Sequence, residues 1–304
     1  MQIPGKTNFS YTPFDGLQVL QQNTLGSYGE GVNFATFEEL YQAYLQDLRV
    51  CVEVIVERFC YEMVGKDQDG NWIHGVDTPC TVISLFEGGC IENGRSYLEC
   101  GTTYNIRSPH FGGLPDVTNS LYAIKKLVYE EKRCTLPQFL AILRNDWEGE
   151  EVLRQYVLNR YAFFGNDNDA CDEIAVRLVE DFASICKEQE GRCCYSTPGG
   201  ISTFGRQLEW APHRLATPFG KKKGAILAGN LSPTPGTDRA GATAVIRSFS
   251  KPDLRKMVTG AALDIKLLPS AVKGEDGIAA ITGLMKGFCT CGGYFMQQIG
   301  RAHV

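Results

Sequence analysis

Several clusters of reactive side chains in this sequence invite a chemical reading, and each is limited by its spacing. Cys51-Val52-Glu53 sets a nucleophile beside a carboxylate, but a helix through these residues turns Glu53 to the wet face, so the pair shares no cleft. Gly220-Lys221-Lys222-Lys223-Gly224 suggests a phosphate loop, yet the first glycine of that motif falls on Leu215, which leaves a basic turn. His74, His110, His213 and His303 share no spacing that would make a metal set or a Ser-His dyad. Asp67-Gln68-Asp69-Gly70 and Asn166-Asp167-Asn168-Asp169 fail as calcium loops, because Val76 and Leu178 stand where a bidentate acid is needed. Among 12 cysteines the close pairs are Cys193-Cys194 and Cys289-Thr290-Cys291, with no CxxC knuckle, so no metal site is expected and most thiols are expected to be free.

The elements that must position any site read more clearly. Thr36 with Glu39 forms a capping box, followed by an apolar stripe through Tyr41, Tyr44, Leu45, Leu48, Val52, Ile55, Val56, Phe59 and Met63 that predicts one long helix capped near Gly65. Helical patterns follow at 118–131, 136–147, 149–159 and 170–188, and another at 274–287. After Glu190, short β-like runs stand between Gly, Pro and Ser: Ala225 to Leu227, Thr243 to Ile246, and Ile265 to Leu268. This alternation predicts an α/β architecture in one domain. With 304 residues, 43% of them hydrophobic, the chain can bury a sizeable core. A net charge of −5 without a block of like charge points away from nucleic acid, and no stretch reaches the roughly 18–20 apolar residues that cross a bilayer. A small-molecule substrate and a cytoplasmic location are the expectation.

Four ordered segments carry more information than the patterning. Asn119 to Lys132, Gly165 to Asp169, Leu231 to Lys251 and Leu267 to Gly274 resemble the glycyl radical enzymes, the family of pyruvate formate-lyase, the diol dehydratases and related radical lyases. The resemblance implies part of a ten-stranded α/β barrel, built from two antiparallel five-stranded halves within a helical layer. It also implies an organic glycyl radical as cofactor, installed by a radical S-adenosylmethionine activating enzyme, and a homodimer when intact. The implied activity is that of a formate acetyltransferase-like enzyme or a radical lyase or dehydratase, acting by thiyl-radical hydrogen abstraction. Residues 1–298 are expected to form the partial barrel. Ile299 to Val304 depart from the family, resemble a translated sequencing adapter, and are expected to be a non-native tail.

The family's two radical motifs are not recognised in these residues. No Arg-Val-x-Gly-Tyr/Phe string occurs. The family's Gly-Cys-x-Glu leads directly into a segment like Gln2 to Thr7, which places the thiyl cysteine three residues before Met1 and the base immediately before it; an inactive fragment is the expectation. Gly89-Cys90-Ile91-Glu92 has the same form but resembles a later family segment, so Cys90 is read as structural. The resemblance places Tyr11, Thr12 and Phe14 in a turn facing substrate, Thr243, Ala244 and Val245 on a strand lining the pocket, and Phe204 above it as an aromatic. Tyr11-Thr12 replaces the His-Asp pair of glycerol dehydratase-like members, which argues against a diol substrate, and Pro218-Phe219-Gly220-Lys221 replaces a Pro-Asp-Gly-Arg loop, which argues against carrying over the substrate of any one member. A non-catalytic half-barrel binding module and a thiol-rich metal-binding protein are the readings from other classes.

Overall fold

The computed structural model describes residues 5–76, 80–293 and 295–300, the last three by their backbone alone. Strand β1 (Thr7–Asp15) is the first element. Parallel to it runs β4 (Tyr104–Gly112), in a register that sets Tyr11 opposite Ser108 and Pro13 opposite His110. Between them in sequence lie the long helix Phe37–Cys60 and a small antiparallel hairpin, β2 (Met63–Lys66) with β3 (Trp72–His74). Parallel bridges at Ile106 with Ser196 and His110 with Gly200 add a third segment to the sheet, and Ile201 with Ala261 adds a fourth. That fourth segment leads into β5 (Leu263–Leu267), which pairs in parallel with β6 (Met296–Gly300). The result is a five-membered parallel layer, the make-up the resemblance implies for half a barrel. The α/β expectation holds.

Alternation along β1 decides which side is covered. Phe14 packs on Phe111 and on Phe182 of the Asp169–Glu188 helix, with ring centroids 5.4 and 6.0 Å away, so its face lies under the helical layer. Tyr11 lies on the opposite, inner face. The helices form where their stripes predict. Thr36 Oγ1 accepts from the Glu39 amide at 3.2 Å, and Glu39 reciprocates to the Ala35 amide at 2.8 Å. The stripe from Leu40 to Phe59 is then buried. Leu114–Ile124, Leu136–Arg144, Glu151–Arg160, Asp169–Glu188 and Gly274–Thr290 are the remaining long helices in the expected places.

Several expectations are corrected. The long helix ends at Cys60, a turn early, because Met63 and Gly65 belong to the hairpin. Tyr11 to Phe14 is strand and not turn. Ala225 to Leu227 forms no strand, and Thr243 to Ile246 lies in the helix Ala242–Ser250. Within that helix Ala244, Val245, Ile246, Ser248 and Phe249 are buried, while Thr243 and Arg247, one turn apart, are exposed on the opposite face. Cys100 and Cys194 form a disulfide and are not free thiols. Parallel pairing brings the two stretches side by side: the Ser196 amide donates to the Asn105 carbonyl at 2.9 Å, and Cys100 and Cys194 lie upstream of these residues. The boundary after Gln298 also falls inside a strand, since β6 stays paired through Gly300; residues 301–304 lie outside the described residues.

The stripe of the long helix gives a direct test. Ile55 is 7% exposed inside it, whereas Glu53 is half-buried at its margin. Ile55→Asp is expected to cost several kcal/mol and Glu53→Ala under about 1 kcal/mol, measured by denaturant unfolding. Equal losses would reverse the assignment of faces.

Candidate functional site

Where β1 ends, a buried charge network fixes the geometry of everything above it. Arg214 reaches Asp15 with two hydrogen bonds of 2.7 and 2.9 Å, a fork-to-carboxylate pairing in which both side chains are essentially excluded from water. Asp15 also caps the next turn by accepting from the Leu17 amide at 3.1 Å. On the other side of Arg214 lies Asp116, in the first turn of the Leu114–Ile124 helix, with its carboxylate 4.0 Å from Nη1. Asp116 accepts from the Ala228 amide at 3.2 Å and the Thr234 hydroxyl at 2.6 Å. Burial pushes its pKa up to about 6, against the pull of Arg214 and these donors. Gly113 stands at the centre with φ 76°, where a Cβ would come 3.1 Å from Arg214 Nη2.

The inner face above this network carries three rings. Tyr11 stacks on Phe204 at 4.3 Å and 21°, and His110 lies 5.1 Å from Tyr11 and 5.9 Å from Phe204. His110 is held at both nitrogens, Nδ1 by Ser202 Oγ at 2.6 Å and Nε2 by Thr259 Oγ1 at 3.1 Å. Burial lowers its pKa to about 4, so the ring is neutral at physiological pH.

Of the residues expected from sequence, Tyr11 and Phe204 therefore come together on the inner face. Thr12 alternates to the other face, and Phe14 is part of the core under Phe182. Thr243, Ala244 and Val245 sit on an outer helix and not on a strand, with Thr243 exposed and the other two packed inward. Cys90 is 3% exposed, and burial raises its thiol pKa. Glu92 Oε2 accepts from the Gly89 amide at 2.9 Å, which makes it the cap of its own short turn. His110 was missed by spacing. Its one signal is the parallel register, because pairing β1 with β4 puts position 110 beside position 13 and on the face of Tyr11.

The segments that carry the family resemblance have a different job. Asn119 accepts from the Phe164 amide at 2.9 Å and donates to Thr234 at 3.1 Å. Asn166 donates to the Phe163 and Thr237 carbonyls and accepts from the Arg239 and Ala240 amides, all within 2.7–3.0 Å. Lys251 joins Asp167, Asp169 and Asp172 at 2.9, 2.7 and 2.7 Å. These segments lock one another in the helical layer.

Comparison with known proteins agrees with this arrangement. A family model described as pyruvate formate lyase-like matches residues 11–202, and one described as glycine radical matches residues 227–299. Trans-4-hydroxy-L-proline dehydratase of Clostridioides difficile is 29% identical over 284 residues, 88% of this chain and 33% of that protein. Isethionate sulfite-lyase of Nitratidesulfovibrio vulgaris is 32% identical over 193 residues, 61% of this chain and 22% of that protein. The structure of the hydroxyproline dehydratase of C. difficile, with its substrate bound, superimposes with a TM-score of 0.86 at 25% identity, covering 98% of this chain and 38% of that one. The chain thus spans about a third of the length of its curated relatives.

The two shifted acids and bases give opposite pH slopes. For His110 the folded pKa lies below the ordinary 6.5, so its contribution is full above pH 6.5 and is lost as pH falls toward 4. Asp116, raised to about 6, acts the other way and gains as pH falls through 6. His110→Gln is therefore expected to flatten the acid-side loss of unfolding free energy between pH 7 and 4.5, by roughly 3 kcal/mol at most. An unchanged slope would contradict the neutral, buried imidazole.

Proposed function

Because the chain belongs to the pyruvate formate lyase-like family and carries a glycine radical match besides, we propose that it supplies one five-stranded wall of a glycyl radical enzyme barrel. The whole protein then acts on a small organic substrate as a radical lyase or dehydratase, or as a formate acetyltransferase-like enzyme. The observation that carries this reading is the parallel layer itself, with Tyr11, His110 and Phe204 on the face away from the helices. In such an enzyme the glycyl radical, passed to a cysteine, supplies hydrogen abstraction. This chain's own residues do other work: they line the cavity, exclude water and fix the orientation of the substrate.

No step is routed through Cys90, which is buried, with its neighbouring carboxylate engaged as a cap. The wider reading includes a radical S-adenosylmethionine activating enzyme as partner, a homodimer and a cytoplasmic location. Relatives named as dehydratases and as a sulfite-lyase favour cleavage of a carbon–heteroatom bond over acyl transfer. Among the described residues no helix is long and apolar enough to cross a membrane.

Two measurements test the proposal. The coding sequence on either side of this frame is expected to read Gly-Cys-x-Glu upstream and Arg-Val-x-Gly downstream; a continuous frame lacking either would refute it. The 304 residues contain no Arg-Val-x-Gly string. Anaerobic mixing of this chain with a reduced activating enzyme and S-adenosylmethionine is therefore expected to give no glycyl doublet in electron paramagnetic resonance. Appearance of the doublet would contradict the assignment of the radical to residues outside the chain.

A further inference from the structure

The inner wall is built from a chain of hydrogen bonds whose direction is fixed by its last member. Ser108 Oγ donates to the Pro198 carbonyl at 2.6 Å, and a carbonyl can only accept. Ser108 must then accept from Thr259 Oγ1, 2.7 Å away, which commits the one hydroxyl proton of Thr259. Thr259 can consequently only accept from His110, so Nε2 carries the proton. Nδ1 is left as the acceptor for the Ser202 hydroxyl. The sequence Ser202 to His110 to Thr259 to Ser108 to the Pro198 carbonyl runs one way, and it leaves the imidazole no free proton or lone pair. His110 is also 1% exposed, so its ring serves Tyr11 and Phe204 as a backing and not as a contact surface.

Phe204 adds a second observation. It is 56% exposed, so it contributes little to the core, and it holds a left-handed backbone at φ 50°, next to Gly205 at φ 83°. A strained, exposed aromatic stacked on Tyr11 presents a ring to whatever occupies the inner face. Resting on the reading of that face as the substrate wall, we propose that Tyr11 and Phe204 form a rigid aromatic platform backed by the buried His110. It recognises a planar, apolar face of the substrate, and His110 is a positioning residue fixed in one tautomer. The substrate class is then a small molecule bearing a ring or another flat unsaturated face, in preference to a polyol.

The test needs no radical chemistry and uses the chain as it is. Saturation-transfer NMR is recorded with indole, tetramethylammonium and glycerol as separate probes. Indole is expected to receive saturation and glycerol to stay at baseline. Phe204→Gly is expected to lower the indole signal at least threefold without lowering the melting temperature, because glycine is at ease at that φ. Thr259→Val is expected to weaken the indole signal, and Thr259→Ser to restore it. Nitrogen-15 shifts of His110 are expected to show the Nε2-protonated tautomer without titration between pH 5 and 8.

Equal indole transfer to Phe204→Gly, or stronger transfer to glycerol or tetramethylammonium, would overturn the platform. A titrating or Nδ1-protonated His110 would overturn its positioning role. An active radical enzyme whose wall ignores indole would remove this inference alone, while indole binding in a protein whose flanking sequence lacks the radical motifs would remove the function alone.

Discussion

A guanidinium enclosed by two carboxylates is the constraint on which the rest of this structure depends. Arg214 ties the end of β1, through Asp15, to the start of the Leu114–Ile124 helix, through Asp116. The same Asp116 holds the Ala228 amide and the Thr234 hydroxyl, so three distant stretches of chain meet at one charge cluster. Taking such charges out of water is costly, and only nearly complete pairing keeps the cluster tolerable. Nη1 of Arg214 makes no hydrogen bond among the described residues, which leaves the position of the arginine to its two forked bonds and to the glycine at 113.

From that anchor the two faces of the parallel layer acquire separate tasks. The covered face carries Phe14, Phe111 and Phe182, and its outer helices are locked to one another by Asn119, Asn166 and Lys251. The inner face carries an aromatic wall backed by hydroxyl groups. The residues that make the family recognisable mostly belong to the first task. The interlock therefore marks the family independently of the side chains on the inner face.

How much of this was legible in the sequence follows the same division. Helices are readable because each buries a single stripe at helical spacing, as from Leu40 to Phe59, and because a cap such as Thr36 with Glu39 marks the start. The first strands are not. β1 and β4 carry Pro13 and Pro109 and mix polar with aromatic residues, and the third segment pairs at so few positions that no run of β-formers announces it. Thr243 to Ile246 misled in the opposite direction: a β-branched run that the left-handed Gly241 delivers into a helix. The resemblance names both Tyr11 and Phe204, which the structure stacks together, whereas Thr12 and Phe14 fall on the other face because a strand alternates where a turn is expected. His110 could be seen only after the register of two strands more than 90 positions apart was known.

The central claim is that the Arg214 cluster preorganises the inner wall, and Arg214→Met tests it most directly. The measurement is unfolding free energy together with the ring-current-shifted NMR signals of Tyr11, with Arg177→Met, from the exposed pair with Glu38, as the reference. Two buried carboxylates left without their cation should cost about 3–5 kcal/mol and disperse the Tyr11 signals, while the surface variant should lose no more than about 1 kcal/mol. A loss for Arg214→Met no greater than that of Arg177→Met, with the Tyr11 signals unmoved, would contradict the account.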